Sequence, residues 1–327
     1  MRESKYLNYT HDHYNSGELV TRLEEKTAQL LGKKKALFFH KGVAAQLVAL
    51  KVSAELQNNN KVILHPNSHI AVDESNAYQQ LMGLTGIELG SVFEPFNEKE
   101  VSNVTEKAAS LVVELPLRRA GFKLTPWNEL LNMQQWAKDT KTHFHLDGAR
   151  LWESTHFYQK SVGEISTLFD SVYVSFYKGL GGLSGAILSG NSDFIDKCKV
   201  WRSRIAGDLY SAFPMLITAL EGLDNELIKI PNWVMRAQEI AKLLNAIEGI
   251  SVDKPHTNGF LVYVEGDLGT LNKKAQFLSE QLNLKLFFKF MPTEMSHIQK
   301  AELQVGSGSD DVNNDEIIQY FTSLMSN

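Results

Sequence analysis

From Gly17 to about residue 210 the chain alternates short β-rich runs with longer amphipathic stretches, the rhythm of a βα protein built on a mostly parallel sheet. The β-rich runs fall at 36–39, 61–64, 110–115, 142–146, 171–176 and 186–189. Helices are expected at about 17–31, 43–57, 73–83, 97–109, 126–139 and 191–204. Parallel neighbours need a crossover of a dozen or more residues, which most of these intervals supply. The interval from 176 to 186 does not, so that pair is expected to be antiparallel. After Tyr210 two helices are expected, at 211–229 and, past Pro231, at 232–247. Strands at 259–264 and 284–288 and helices near 270–282 and 312–324 follow, with the polar stretch GSGSDDVNND as the loop into the last helix. The expected organisation is an N-terminal segment 1–16, a large α/β domain 17–235 and a small α+β domain 236–327.

Composition removes several classes of function. With 43% hydrophobic and 22% charged residues over 327 positions, the chain is neither disordered nor fibrous. A single cysteine, Cys198, permits no intrachain disulfide and no cysteine-based zinc cluster, and points to a reducing compartment. The net charge of −5 offers no basic field for nucleic acid or anionic lipid. No apolar run approaches the roughly 20 residues that span a bilayer. The polar start has no signal-peptide pattern, so a cytoplasmic protein is expected. The segment HDHYN at 11–15 sets two histidines around an aspartate. Without a third ligand it reads as solvated or interface residues, and no metal is expected.

Two β-runs end in polar residues. HLDGAR closes with Asp147 and turns through Gly148 into Arg150, and SVYVSFYKGLGG ends in Lys178 and a glycine cluster. Side chains at the carboxyl ends of neighbouring strands converge on the ligand crevice of an open α/β sheet. The 31-position separation is about one βαβ unit, so both groups can face one crevice. One reading is a structural salt bridge. The other is amine catalysis: partial desolvation frees the lysine amine, and a buried carboxylate keeps a cofactor's pyridine nitrogen protonated, as pyridoxal phosphate chemistry requires. The spacing G-x-G-G-x-x-G at 179–185 precedes a strand and not a helix, against dinucleotide binding. Neither a Walker loop nor a G-x-S-x-G elbow occurs.

The segments LVTRLEEKTAQLLGKKKALFF, HLDGARLWES, DSVYVSFYKGLGGLSGAILSG and DFIDKCKVWRSR resemble the threonine aldolase / β-eliminating lyase family of pyridoxal-phosphate enzymes, over about 17–222. ELPLRRAG and VSFYKGLGG are similar to a divergent branch of low-specificity aldolases. The resemblance implies an aminotransferase-type, fold type I large domain with a seven-stranded, mostly parallel sheet, and a small α+β domain. It also implies a homodimer or homotetramer with active sites at the subunit interface, and an amino acid substrate. By the resemblance Lys178 takes the cofactor's aldehyde, Asp147 pairs with the pyridine nitrogen, and Arg150 lies beside cofactor and substrate. His69 of SHI falls where the family stacks an imidazole on the ring, a loop histidine being the other reading. Ser175 is placed to reach the phosphate. The loop HKGVAAQ, with Lys41, Gly42 and Val43, opens a helix whose amides could hold it.

The chain also departs from the family. Lys41-Gly42-Val43 stands where Ser-Gly-Thr is usual, and Lys41 either replaces the lost donors or is a surface lysine. The usual R-S-D-T start is replaced by NYTHDHYNSGE, and Tyr210 stands for an arginine. No arginine follows Arg236, and Gln304 aligns with the usual carboxylate-binding arginine, which glutamine does not replace equivalently. Arg150, then Arg118, are the carboxylate candidates, with Arg202 and Arg204 behind them. The expected reaction is aldol cleavage of a β-hydroxy-α-amino acid to glycine and an aldehyde. The alternatives are β-elimination, racemisation or transamination on the same scaffold, or a cofactor-binding homologue without aldolase activity.

Overall fold

A computed structural model describes residues 3–326; Met1, Arg2 and Asn327, at the ends of the two expected terminal segments, lie outside it. The chain divides into two compact units, one ending at Ile228 and the other beginning at Lys229. The expected border at 235/236 falls inside the helix Ile230–Leu244.

The first unit is built on seven strands: β1 Lys35–Phe39, β2 Lys61–Leu64, β3 Thr85–Glu88, β4 Ser110–Glu114, β5 His143–Gly148, β6 Ser171–Ser175 and β7 Ala186–Gly190. Their order is β1-β7-β6-β5-β4-β2-β3. Pairs from β6 through β3 are parallel, whereas β7 runs antiparallel to both β6 and β1. The strand ends of β1 and β6 therefore share one edge with those of β2, β4 and β5. Burial explains the apolar runs: Phe38, Phe39, Ile63, Leu111 and Ile187 are all wholly inaccessible. The helices Gly42–Gln57 and Ser192–Arg204 pack against one face, where Val48, Ala49, Val52, Ile195 and Cys198 meet Leu37, Phe39, Tyr173 and Leu188. Helix Glu18–Leu30 lies against β1.

Three expectations in this unit need correction. Strand β3 was not anticipated: its sequence TGIE has no buried alternation, because it is a half-exposed edge paired only to β2. The helix expected at 73–83 is two single turns, His69–Val72 and Ala77–Gln80. Ser75 and Asn76 between them sit in the left-handed region, with φ of 51° and 58°, which ends any continuous helix. The helix expected at 97–109 is only Glu98–Ser102, started by a reciprocal Asn97/Glu100 capping box.

The segment HDHYN packs on residues 207–213. Both oxygens of the buried Asp12 carboxylate accept from Ala212 N at 2.9 Å, His11 stacks on Phe213 at 4.0 Å between ring centroids, and Asn15 donates to the Gly207 carbonyl at 3.1 Å. Asp12 and Asn15 are buried in that contact, while His11 and His13 are exposed.

The second unit holds a four-stranded antiparallel sheet in the order β10-β11-β9-β8. Its strands are β8 Ile250–Val252, β9 Gly259–Glu265, β10 Met291–Pro292 and β11 Ile298–Gln304. Helices Leu268–Gln281 and Asn314–Met325 accompany it. The strand expected at 284–288 is irregular chain: Phe287 turns inward onto Phe290 and Tyr320 while Phe288 is 82% exposed. The sheet uses β11 instead, whose alternation is carried by Gln299, Ala301 and Leu303. Among the described residues no helix is long and apolar enough to cross a membrane.

Candidate active site

The shared edge of β1, β2, β4, β5 and β6 is where the chemistry collects. Asp147, 2% exposed, lies in β5 in register with Glu114 of β4 on one side and Tyr173 of β6 on the other. Its Oδ1 accepts the Ala149 amide at 3.1 Å, which closes the turn toward Arg150. Lys178 sits three residues past the end of β6, with Nζ 5.8 Å from the centre of the Tyr177 ring. Burial first, and then the Arg150 charge, lower its pKa to about 8, against the pull of Asp147, Glu114 and Glu153. A fraction of this amine is therefore neutral at physiological pH, which an exposed lysine cannot match.

His69 begins the short helix after β2. Its backbone amide donates to Glu114 Oε2 at 2.8 Å, and its Nδ1 lies 2.8 Å from Glu74 Oε1. The hydrogen bond with Glu74 pushes the imidazole above its ordinary pKa in spite of burial, with Asp147 adding to the rise and Lys178 opposing it. Glu114 Oε1 accepts the Arg118 amide at 3.2 Å. Burial and the neighbouring Asp147 charge push Glu114 up to about 7. Glu153, 1% exposed, is likewise pushed up to about 7 by burial, and one of its oxygens has no hydrogen-bond partner. It packs so close behind the Lys178 loop that a Cβ at Gly179 would strike its carboxylate.

The edge after β1 has different chemistry. Lys41 is exposed and is the N-cap residue of helix Gly42–Gln57, yet its side chain makes no capping bond. The first amides of that 16-residue helix thus have no side-chain cap, at its positive end. Gly42 is required there, since a Cβ would collide with the hydroxyl of Tyr173, a side chain itself 3% exposed. Val43 follows in the first turn, partly buried. The His40 carbonyl accepts from Ser184 Oγ at 2.6 Å and from Gly185 N at 3.2 Å, which ties this turn to the glycine loop after Lys178. Ser175 Oγ donates to the Ala149 carbonyl at 2.7 Å, so its proton is aimed at the Asp147–Arg150 turn.

The arginines separate by surroundings. Arg150 holds its guanidinium 5.5 Å from the centre of the Phe122 ring, and its charge acts on both Lys178 and Glu153. Arg118 opens the single turn Arg118–Ala120 beside Glu114. Arg202 is 2% exposed, donating to the Phe38 carbonyl at 2.7 Å and to Asp208 at 2.8 Å. Those bonds make it a brace for the end of β1, not a substrate ligand. Arg204 stacks on Trp201 at 4.9 Å.

Sequence reasoning missed Glu74, Glu114 and Glu153. Glu114 had a usable signal, since it closes a β-run as Asp147 does. Glu153 lies inside HLDGARLWES and could have been found as the first acid after Arg150. Glu74 had none, because what singles it out is its contact with His69.

The family model described as Beta-eliminating lyase matches residues 1–267. A low-specificity L-threonine aldolase of Candida albicans is 26% identical over 330 residues, covering 93% of this chain and 86% of its own. Among solved structures, a candidate L-allo-threonine aldolase of Listeria monocytogenes EGD-E superposes with a TM-score of 0.93 at 32% identity, covering 97% of this chain and 90% of that one. A candidate aromatic amino acid beta-eliminating lyase/threonine aldolase of Exiguobacterium sp. 255-15 gives a TM-score of 0.92 at 29% identity, covering 97% and 89%.

Proposed function

Because the chain belongs to the Beta-eliminating lyase family, we propose that it is a pyridoxal-phosphate-dependent aldehyde-lyase that cleaves a threonine-like β-hydroxy-α-amino acid to glycine and an aldehyde. The observation that carries this reading is the Lys178 amine, lowered to about 8 in a setting whose charges include the buried Asp147. The residues present fit the cofactor's three handles. An amine of lowered pKa suits its aldehyde, a buried carboxylate its ring nitrogen, and a helix N-terminus with no side-chain cap its phosphate. When bound, the cofactor supplies an electron sink for the bond electrons released at Cα.

The protein's share of the work follows from its own atoms. Lys178 Nζ would hold the cofactor through its aldehyde. Asp147 holds a proton on the ring nitrogen by charge. The amides of Gly42 and Val43, aided by the Lys41 ammonium, hold the phosphate. Arg150, with Arg118 behind it, holds the substrate carboxylate in place of the missing C-terminal arginine. His69 orients the ring and accepts the proton of the β-hydroxyl as the Cα–Cβ bond breaks, then returns a proton toward Cα, directly or through water. A homodimer or homotetramer with sites at the subunit interface, working in the cytoplasm on free amino acids, belongs to the same reading.

The test is an absorption spectrum of the purified protein with added pyridoxal phosphate, before and after borohydride, with mass mapping of the adduct. A band at roughly 410–430 nm, the general range for this cofactor on a lysine, and an adduct on Lys178 are expected. Product analysis with β-hydroxy-α-amino acids should then find glycine and aldehyde. Ammonia and a 2-oxo acid instead would make the enzyme a β-eliminating lyase, and no adduct would remove the cofactor from the reading.

A further inference from the structure

Glu74 is a buried carboxylate to which the reaction above assigns no task. Its side chain is 1% exposed, Oε1 lies 2.8 Å from His69 Nδ1, and Oε2 is buried with no hydrogen-bond partner. Burying a carboxylate this way is costly unless something else is gained. His69 is anchored at two points by acids from different segments: its backbone amide on Glu114 at the end of β4, and its ring Nδ1 on Glu74. Burial pushes the Glu74 pKa up while the hydrogen bond and charge of His69 pull it down. As an ionised carboxylate it only accepts, and Nδ1 then carries the proton in the neutral ring, leaving Nε2 as the basic nitrogen.

We propose that Glu74 is the positioning residue of His69: it fixes the tautomer and orientation of the imidazole, makes Nε2 the atom that takes the substrate's hydroxyl proton, and stabilises the imidazolium so formed. The inference rests on the aldolase reading for the identity of that proton, but not for the pair itself. The geometry is that of a base oriented by a third group, in which the carboxylate acts through the ring and touches no substrate. The other charges around the pair come from four places. Asp147 of β5 favours the imidazolium and Lys178 opposes it. Glu114 of β4 holds the amide, and Asp73, ion-paired to Arg119 and also acted on by Arg118, precedes Glu74. Of these only Glu74 bonds to the ring.

The experiment is a ¹⁵N NMR titration of the histidines in cofactor-free protein, for the wild type, Glu74→Gln and Glu74→Ala, with His69→Asn to assign the resonance. Loss of the charged partner should lower the His69 titration midpoint by about 1 pH unit in Glu74→Gln. In turnover, kcat should fall about 10- to 100-fold with KM nearly unchanged, and the acidic limb of kcat/KM should move to lower pH by the same interval. A His69 midpoint unmoved in Glu74→Gln overturns the proposal even if the alanine variant misfolds. Should the wild type cleave no β-hydroxy-α-amino acid, the aldolase reading falls while the titration still decides the pair. Should it cleave them with an unmoved His69, the reading stands and the assignment of Glu74 falls.

Discussion

Lys178 and Glu153 are of opposite charge type, and the same burial drives both toward neutrality. For Lys178 the consequence is kinetic. Its trapping by brief exposure to pyridoxal phosphate and borohydride should quicken about tenfold per pH unit up to about 8 and then level, where an exposed lysine would keep rising toward 10.4. Lys178→Ala should lose the adduct and nearly all turnover, whereas Asp147→Asn should retain some cofactor and lose several orders of magnitude in kcat. An intact rate in Asp147→Asn would end its assignment to the ring nitrogen. For Glu153 the consequence is stability. Its folded pKa, about 7, lies above the ordinary 4.5, so between those values the folded state holds a proton the unfolded state has released. Stability is therefore lost as pH rises through that window and is flat above it, by about 3 kcal/mol at most for the two-and-a-half-unit gap. Glu153→Gln should raise the Tm of cofactor-free protein at pH 8 and change it little at pH 5; equal effects at both would show that the charge is not the cause. The sequence made Asp147, Lys178 and Arg150 legible because each stands where a β-run gives way to a glycine-containing turn. Glu74 was illegible because what defines it is a neighbour, and neighbours arise only from the fold.

At the scale of elements, helix Gly42–Gln57 joins a mechanical demand to an electrostatic one. Its first turn approaches β6 so closely that only glycine fits beneath Tyr173, and that approach points its amides at the edge where Lys178 lies. Gly42→Ala should weaken pyridoxal phosphate binding by at least about tenfold, read by spectroscopic titration, and cost about 1–3 kcal/mol through overpacking. Unchanged affinity would mean that the phosphate is held elsewhere. In the core cluster that Tyr173 and this helix share, Cys198 is wholly inaccessible, and burial pushes its thiol well up. It should resist thiol reagents until the protein unfolds. The long helices and the six strands of the large sheet other than β3 were readable from periodicity, since each buries one face or both. An element that buries little, such as β3, left no periodic trace, and the periodic stretch 73–83 misled because left-handed Ser75 and Asn76 cut it into single turns. β11 escaped for a different reason: a buried Gln299 occupies one of its inward positions, where an apolar residue would have announced a strand.

For the whole molecule, the proposed assembly predicts a solution mass of two or four times the 36.8 kDa chain by light scattering, and a monomeric mass would remove the shared-interface part of the reading. Within the first unit, the direction of β7 has a further consequence. Strands β2, β4 and β5 are each left through a segment that crosses to the far edge before the next parallel strand begins, whereas β6 returns through residues 176–185 on the near edge. Lys178 thus hangs on a ten-residue tether with both ends anchored in adjacent strands. Grafts and insertions after β2 or β4 can lengthen or reshape the rim while that tether keeps its length. For anyone redesigning the enzyme's preference, the rim is the place to vary, and the stretch from Phe176 to Gly185 is the place to leave alone.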